Sequence, residues 1–198
     1  MKMLLTSFRR EFHDRLLDLL WRQWTALGVT GQVSPCKRTV LDPEALLLIS
    51  CTVGRHDARL FDAMLEWLQV NGRYLNVQRL HRMLANYPYA GGAVYAAVAA
   101  VTSNSGQAVK WGRSSRLTTS SARPEEPLFR MSDGYPFPVV REPDPVFQSH
   151  GLLRDRYEPR GVAQPFQPKI VAKLLLRLRA FLGVNARCEI LAYLLLNE

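Results

Sequence analysis

Between residues 4 and 101 the apolar side chains recur at three- and four-residue steps, and the pattern stops only at residues that cap or break helices. That period belongs to amphipathic α-helices, not to the two-residue alternation of a half-buried sheet. The longest stripe, Leu4, Phe8, Phe12, Leu16, Leu19, Leu20, Trp24 and Leu27, predicts one long helix with this face buried. Gly28 closes it, and Arg10, Asp14, Asp18 and Arg22 face water. After a loop holding Gly31, Ser34 and Pro35, the run Asp42-Pro43-Glu44 supplies a cap, a first-turn proline and a first-turn acid for a short buried helix ending near Val53. Asp57 caps a third helix with Leu60, Phe61, Met64, Leu65 and Leu68 inward, stopped by Asn71-Gly72. Asn76 opens a fourth, with Val77, Leu80 and Leu84 inward, up to Tyr87-Pro88. Residues 92–101 are rich in alanine and read as a fifth helix, with a strand as the competing assignment because of the valines and Tyr95. Short turns joining five helices make residues 1–101 a helical bundle domain.

Composition changes at residue 102. Residues 102–127 are rich in Ser, Thr, Gly and Arg and read as a linker or exposed loop, with Ala108 to Trp111 able to dock on the bundle. Residues 128–168 hold Pro136, Pro138, Pro143, Pro145, Pro159, Pro165 and Pro168 and predict irregular chain, with a strand or short helix near residues 146–153. A further helix over residues 169–182 places Ile170, Val171, Leu174, Leu178, Phe181 and Leu182 on its buried side. Asn185 then caps a last amphipathic helix that runs to Glu198 with no terminating residue, which predicts that the natural protein continues. The fold class is mainly α: a helical bundle, an irregular proline-rich segment, then the helices of residues 169–198.

The chain carries 26 basic against 17 acidic residues, a net charge of +9 that favours polyanionic partners. The excess is spread out: residues 1–30, 31–101 and 102–168 each carry +2 and residues 169–198 carry +3. Cys36, Cys51 and Cys188 form neither a disulfide framework nor a zinc-ligand spacing, so neither metal nor cofactor is expected. The N-terminus lacks the apolar core of a signal peptide, and no apolar run is long enough to span a bilayer, which predicts a cytoplasmic protein off the membrane. His13-Asp14 and His56-Asp57, the latter near Ser50 and Cys51, contain the residue types of a nucleophilic site. Adjacent residues rarely face each other, however, and Asp57 is a cap, so these pairs read as structural. Asp62 and Glu66 share a helix face and read as a solvated pair, while His81 and His150 read as solvent-facing or hydrogen-bonded. Trp21, Trp24, Trp67 and Trp111 are aromatic anchors for a partner or for the core. Lys169, Lys173 and Arg177, spaced by four, stack along one helix face with Arg179 and Arg187 nearby. That stripe suits phosphate contacts or, taken alone, a solvated face opposite Leu174 and Leu178.

The stretch from Leu174 to Glu198 resembles the opening of a bacterial winged-helix domain. An arginine-containing lead-in and small turn precede a first helix, here Ala186-Arg187-Cys188-Glu189-Ile190-Leu191-Ala192-Tyr193-Leu194-Leu195. The layout, a helical N-terminal region ahead of such a segment, is also similar to that of uncharacterised bacterial proteins. This resemblance implies a non-enzymatic transcriptional regulator that binds DNA in its full-length form, as a homodimer, with its reading helix beyond Glu198. The alternative is a protein-interaction module, such as one partner of a defence or toxin-antitoxin pair. An enzyme without a recognisable signature is a third option.

Overall fold

The computed structural model describes residues 2–31, 33–35, 42–117, 124–131, 135, 141–167 and 174–196, and it is mainly helical. The described helices are α1 (Lys2–Ala26), α2 (Pro43–Val53), α3 (Ala58–Asn71), α4 (Val77–Asn86), α5 (Gly92–Thr102), α6 (Ala108–Trp111), α7 (Pro145–Gln148), α8 (Leu174–Leu182) and α9 (Ala186–Leu196). Two short strands, β1 (Glu126–Pro127) and β2 (Leu152–Leu153), pair in parallel.

Helices α2 to α4 begin at the caps that the sequence announces. Asp42 accepts the backbone N–H groups of Glu44 and Ala45, with Pro43 in the first turn. Asp57 accepts those of Arg59 and Leu60, and Asn76 that of Arg79. Each such cap is worth about 1 kcal/mol. Gly28 closes α1 at φ 103°, a conformation that side-chain-bearing residues avoid. The fifth segment, for which a strand was the rival, is helical: Val94, Ala96, Ala97, Val98 and Ala99 are all buried, and the small alanines let α5 lie close to α2 and α3.

Trp24, Trp67 and Trp111 are fully buried. Trp24 and Trp67 meet edge to face at 5.4 Å. Their indole N–H groups donate to Ser50 Oγ and to the Leu27 carbonyl, each at 2.9 Å, so a large apolar area is buried with its polar atoms satisfied. Residues 102–117 stay on the bundle. Helix α5 runs into a wide turn with Gly106 at φ 91°, and α6 then delivers Trp111 to the core.

The expected buried stripe of α1 holds only in its second half. Residues 5–12 are all exposed, Leu5, Phe8 and Phe12 among them, and Leu19 is exposed as well; full burial begins at Leu20. Length is the reason. Twenty-five residues extend about 38 Å at 1.5 Å per residue, whereas the neighbours α2 and α3 have 11 and 14 residues, so the first turns of α1 run past the bundle.

Apart from the single turn of α7 and the two-residue strand β2, residues 141–167 are irregular, as their prolines dispose them to be, and they pack against the bundle. Val29 and Ala163 form an antiparallel bridge, flanked by hydrogen bonds from Thr30 N–H to the Val162 carbonyl at 2.8 Å and from Gln164 N–H to the Gly28 carbonyl at 3.2 Å. Asn71, fully buried, donates its amide to the Gln164 carbonyl and accepts Phe166 N–H. The Asp62–Glu66 pair is an anchor for this segment and not a solvated face. Asp62 binds Arg154 at 2.7 Å, and Glu66 accepts the N–H groups of Arg160 and Ala163, each at 2.8 Å. The Arg154 guanidinium is enclosed by the rings of Phe129, Phe147 and Tyr157 at 5.1 to 5.4 Å, a cation–π setting that suits a desolvated arginine.

Candidate functional site

Helix α8 is attached through one charged residue. Arg179, fully buried, donates Nη1 to Glu44 Oε1 at 2.7 Å and Nη2 to Glu44 Oε2 at 3.1 Å, a two-pronged contact that a planar guanidinium makes best. Nη2 also reaches Glu189 at 2.6 Å and Nη1 the Tyr74 carbonyl at 3.0 Å, so α2, α8, α9 and the turn before α4 meet at one group. Glu44 is fully buried too. It accepts Asn76 N–H at 2.7 Å and Arg79 at 2.8 Å, and Arg79 in turn pairs with Asp42. Burial by itself would weaken the Arg179 charge, but the carboxylates of Glu44 and Glu189 more than offset that and raise its pKa. Burial likewise opposes the Asp42 charge, and Arg79 holds that carboxyl below the usual range. Lys110 is pushed down to about 8, first by burial and then by the nearby Arg179 charge.

This arrangement divides the basic stripe. Lys169 and Lys173 lie outside the described residues. Arg177 and Arg187 are exposed on α8 and α9. Arg179 turns inward and has its donors engaged by carboxylates, which removes it from any phosphate-facing set. Its ion pair also fixes the inward face of α8 on Leu176 and Arg179. Phe181, expected inside, is 72% exposed and Leu182 is exposed with it, while Leu174 and Leu178 are half-buried.

Helix α9 folds back on α8 through a turn with Gly183 at φ 80°, and Asn185 accepts the N–H groups of Arg187 and Cys188. Cys188 and Ala192 face inward. Ile190, Leu191, Tyr193, Leu194 and Leu195 are exposed at 40 to 67%. At roughly 100° per residue these five spread over more than half the circumference of the helix. A helix apolar on most sides is one that further structure covers.

The residues that suggested nucleophilic chemistry are taken up by structural contacts. Asp57 Oδ1 caps α3 and Oδ2 accepts Trp21 Nε1 at 2.7 Å. Ser50 is held by Trp24, and burial pushes the Cys51 thiol up to about 12, leaving it a small inert hydrophobe. His13 and His56 meet edge to face at 4.3 Å. Burial, and next the neighbouring His13, lower the His56 pKa. His81 Nε2 lies 2.7 Å from Ser114 Oγ, which also accepts the Tyr95 hydroxyl at 3.1 Å, but Ser114 is fully buried and beyond the reach of a substrate. His150 is buried, and burial lowers its pKa.

A cleft of about 580 Å³ lies between the end of α1, the start of α3 and residues 158–162, walled by Trp21, His56, Arg59, Asp62, Glu66 and Arg160. Its acids are largely engaged, Asp62 by Arg154 and Glu66 by two backbone N–H groups, so its charged wall is built for holding the 158–163 segment. Among the described residues no group of three or more His, Cys, Asp or Glu side chains is placed to hold a metal ion.

No family model, curated protein or solved structure matches this chain. The likeness of residues 174–198 to the opening of a winged helix therefore rests on those residues alone. Among the described residues, no helix is long and apolar enough to cross a membrane.

The Arg179 clamp has no signature in the sequence. Arg179 and Glu44 lie 135 positions apart, and Glu44 already has a local explanation as the first-turn acid of α2. Helix α9 reads as amphipathic in the sequence, but in the structure its large apolar side chains Ile190, Leu191, Tyr193, Leu194 and Leu195 are exposed and only Cys188 and Ala192 face inward.

Proposed function

We propose that this is a non-enzymatic cytoplasmic regulatory protein that acts by docking, with the α8–α9 hairpin as its contact surface and the α1–α7 body as the scaffold that holds it. The observation that carries this reading is the breadth of exposed apolar surface on α9, five large side chains over more than half of the helix, on an element fixed to the body by a buried ion pair. Contiguous apolar surface of this kind marks an interaction site. Aromatic and aliphatic side chains held on a rigid element are what a protein interface uses as anchors. The test is substitution of Ile190, Tyr193 and Leu194 by Glu, followed by comparison of the stoichiometric protein partner co-purified with each form. The wild-type chain retains that partner and the triple variant, with unchanged helical content, releases it. Equal retention by both removes the reading.

A second reading is favoured by the exposed Arg177 and Arg187 on the same hairpin. In a DNA-binding regulator of winged-helix type, the apolar sides of α9 are covered by the following two helices, and these arginines sit beside the phosphate backbone. Fluorescence anisotropy with duplex DNA over a salt series separates the two. Tight binding with sequence preference, weakened when Arg177 and Arg187 become Gln, supports the regulator of transcription. Weak binding erased by salt removes it.

A further inference from the structure

The first half of α1 is an exposed helix. Every residue from 5 to 12 is exposed, and Leu5 (49%), Phe8 (66%), Phe12 (59%) and Leu19 (40%) leave apolar side chains in water. A helix segment of this length is marginal on its own, because nucleation costs more than a few turns return, so an apolar stripe along it calls for a partner surface. At roughly 100° per residue, these four side chains lie within about 60° of one another, in a narrow stripe of the kind that forms a two-helix seam. Phe8 and Phe12 stack along it with ring centroids 6.2 Å apart.

Beside the stripe, on the side away from the body, runs a row of alternating sign: Glu11, Arg15, Asp18 and Arg22. Glu11 pairs with Arg15 at 2.7 Å and Asp18 with Arg22 at 2.7 Å, and all four side chains are at least 46% exposed. At the end of that row that lies beside Phe12, Glu11 and Arg15 are opposite in sign and so complementary to their own reverse. We infer that α1 pairs antiparallel with α1 of a second copy of this chain, through Leu5, Phe8, Phe12 and Leu19.

In that arrangement the pairing centres near residues 12 and 13. Leu5 and Phe8 meet Leu19 of the second copy, Phe12 meets its own copy, and Glu11 faces Arg15 of the other helix in both directions. Antiparallel packing sets the two bodies at opposite ends of the seam, whereas parallel packing would crowd them together. It also keeps the two charged rows on the same side, where their Glu11 and Arg15 ends oppose each other. The contact is independent of the α8–α9 surface. A seam of two helices over this length is at the small end of specific interfaces, so self-association is expected on the order of 10 µM.

The experiment is sedimentation equilibrium of the whole chain over about 1 to 100 µM, bracketing that affinity. The wild-type chain passes from monomer to dimer across the series. Phe12→Asp, an exposed position whose change leaves the circular dichroism spectrum intact, stays monomeric. Charge reversal gives the decisive comparison. Glu11→Arg alone places arginine opposite arginine, and Arg15→Glu alone places glutamate opposite glutamate, so each weakens the dimer about tenfold or more. Mixing these two variants restores both cross-helix pairs and the dimer. A monomer at all concentrations overturns the proposal. So does a dimer insensitive to Phe12→Asp, or one lost instead when Tyr193 and Leu194 become Glu, which would place the self-contact on α9. Equal loss in the mixture and in the single reversals overturns the antiparallel register.

Discussion

The first half of α1 and the α8–α9 hairpin both carry large apolar side chains into solvent, but they are held in opposite ways. The start of α1 is continuous with a half that sinks Leu20 and Trp24 into the core, while residues 5–12 are all exposed. The hairpin is joined to the body by Arg179, whose guanidinium is shared among Glu44, Glu189 and the Tyr74 carbonyl. The hairpin is therefore held by one buried charged group beside the apolar contact of Leu176, while α1 is held by apolar side chains along its buried half. A buried ion pair is a poor source of net stability but a strict one, since losing either partner strands the other without water.

The largest expected effect follows from that strictness. Arg179→Met leaves the fully buried Glu44 with only Arg79 and a backbone N–H, which is expected to cost about 3–5 kcal/mol in chemical denaturation. Hydrogen exchange over residues 174–196 rises well before the rest of the molecule. Adding Glu44→Gln to that variant recovers a measurable part of the loss, because no charge then remains stranded. If the single variant loses less than about 1 kcal/mol, Arg179 is not the clamp described here.

Next comes a contrast within α1. Leu20→Ala removes a fully buried side chain and is expected to cost about 2–5 kcal/mol. Leu5→Ala, fifteen positions earlier on the same helix, changes monomer stability by about 0.5 kcal/mol or less. Equal losses would show that the start of α1 packs on the body.

A somewhat smaller effect is expected for the irregular segment. Glu66→Ala removes the acceptor of two backbone N–H groups, at Arg160 and Ala163. The expected loss is about 2–3 kcal/mol, accompanied by faster proteolysis near residues 158–164 while the hairpin stays protected.

The smallest effects separate the two regions by pH. His56 has a folded pKa below its unfolded value, so the folded state takes up fewer protons than the unfolded chain. The stability it contributes is present above about pH 6.5 and is lost as pH falls from there toward the folded value. Because His13 of α1 lies against it, acidification should loosen the middle of α1, and His56→Gln should flatten that part of the stability profile. Beside the clamp the window is alkaline. Lys110 is depressed from 10.5 to about 8 in the folded protein, so stability rises with pH between those values. Lys110→Met removes that slope. Arg179 itself stays charged throughout, so the clamp outlasts both transitions.

The sequence was a good guide wherever structure is made locally. The caps Asp42, Asp57 and Asn76, the stop at Gly28 and the stripes of α2 to α4 act within a few residues of their own position, so periodicity and side-chain chemistry reveal them. The largely irregular course of residues 141–167 was equally plain from the prolines, and a short helix and a short strand, α7 and β2, fall at residues 145–153 where the sequence allowed one or the other. The wide exposed apolar surface of α9 was not legible, since the sequence reads there as an ordinary amphipathic helix. What the sequence hid were the choices of partner. The buried face of α8 turned to Leu176 and Arg179, not to Phe181, because a carboxylate 135 residues away outweighs the burial of one ring. Asp62 and Glu66 became anchors because Arg154 and two backbone N–H groups come to them from the far side of the chain.

The sequence by itself determined that this chain is helical, where most of its helices begin, and which segment cannot form long regular elements, since those properties follow from local backbone preferences and short-range hydrogen bonds. Only the tertiary structure decided which apolar stripes are core and which are surface, and which charges are buried, because those depend on how far each helix outruns its neighbours and on which distant group arrives to satisfy a desolvated charge.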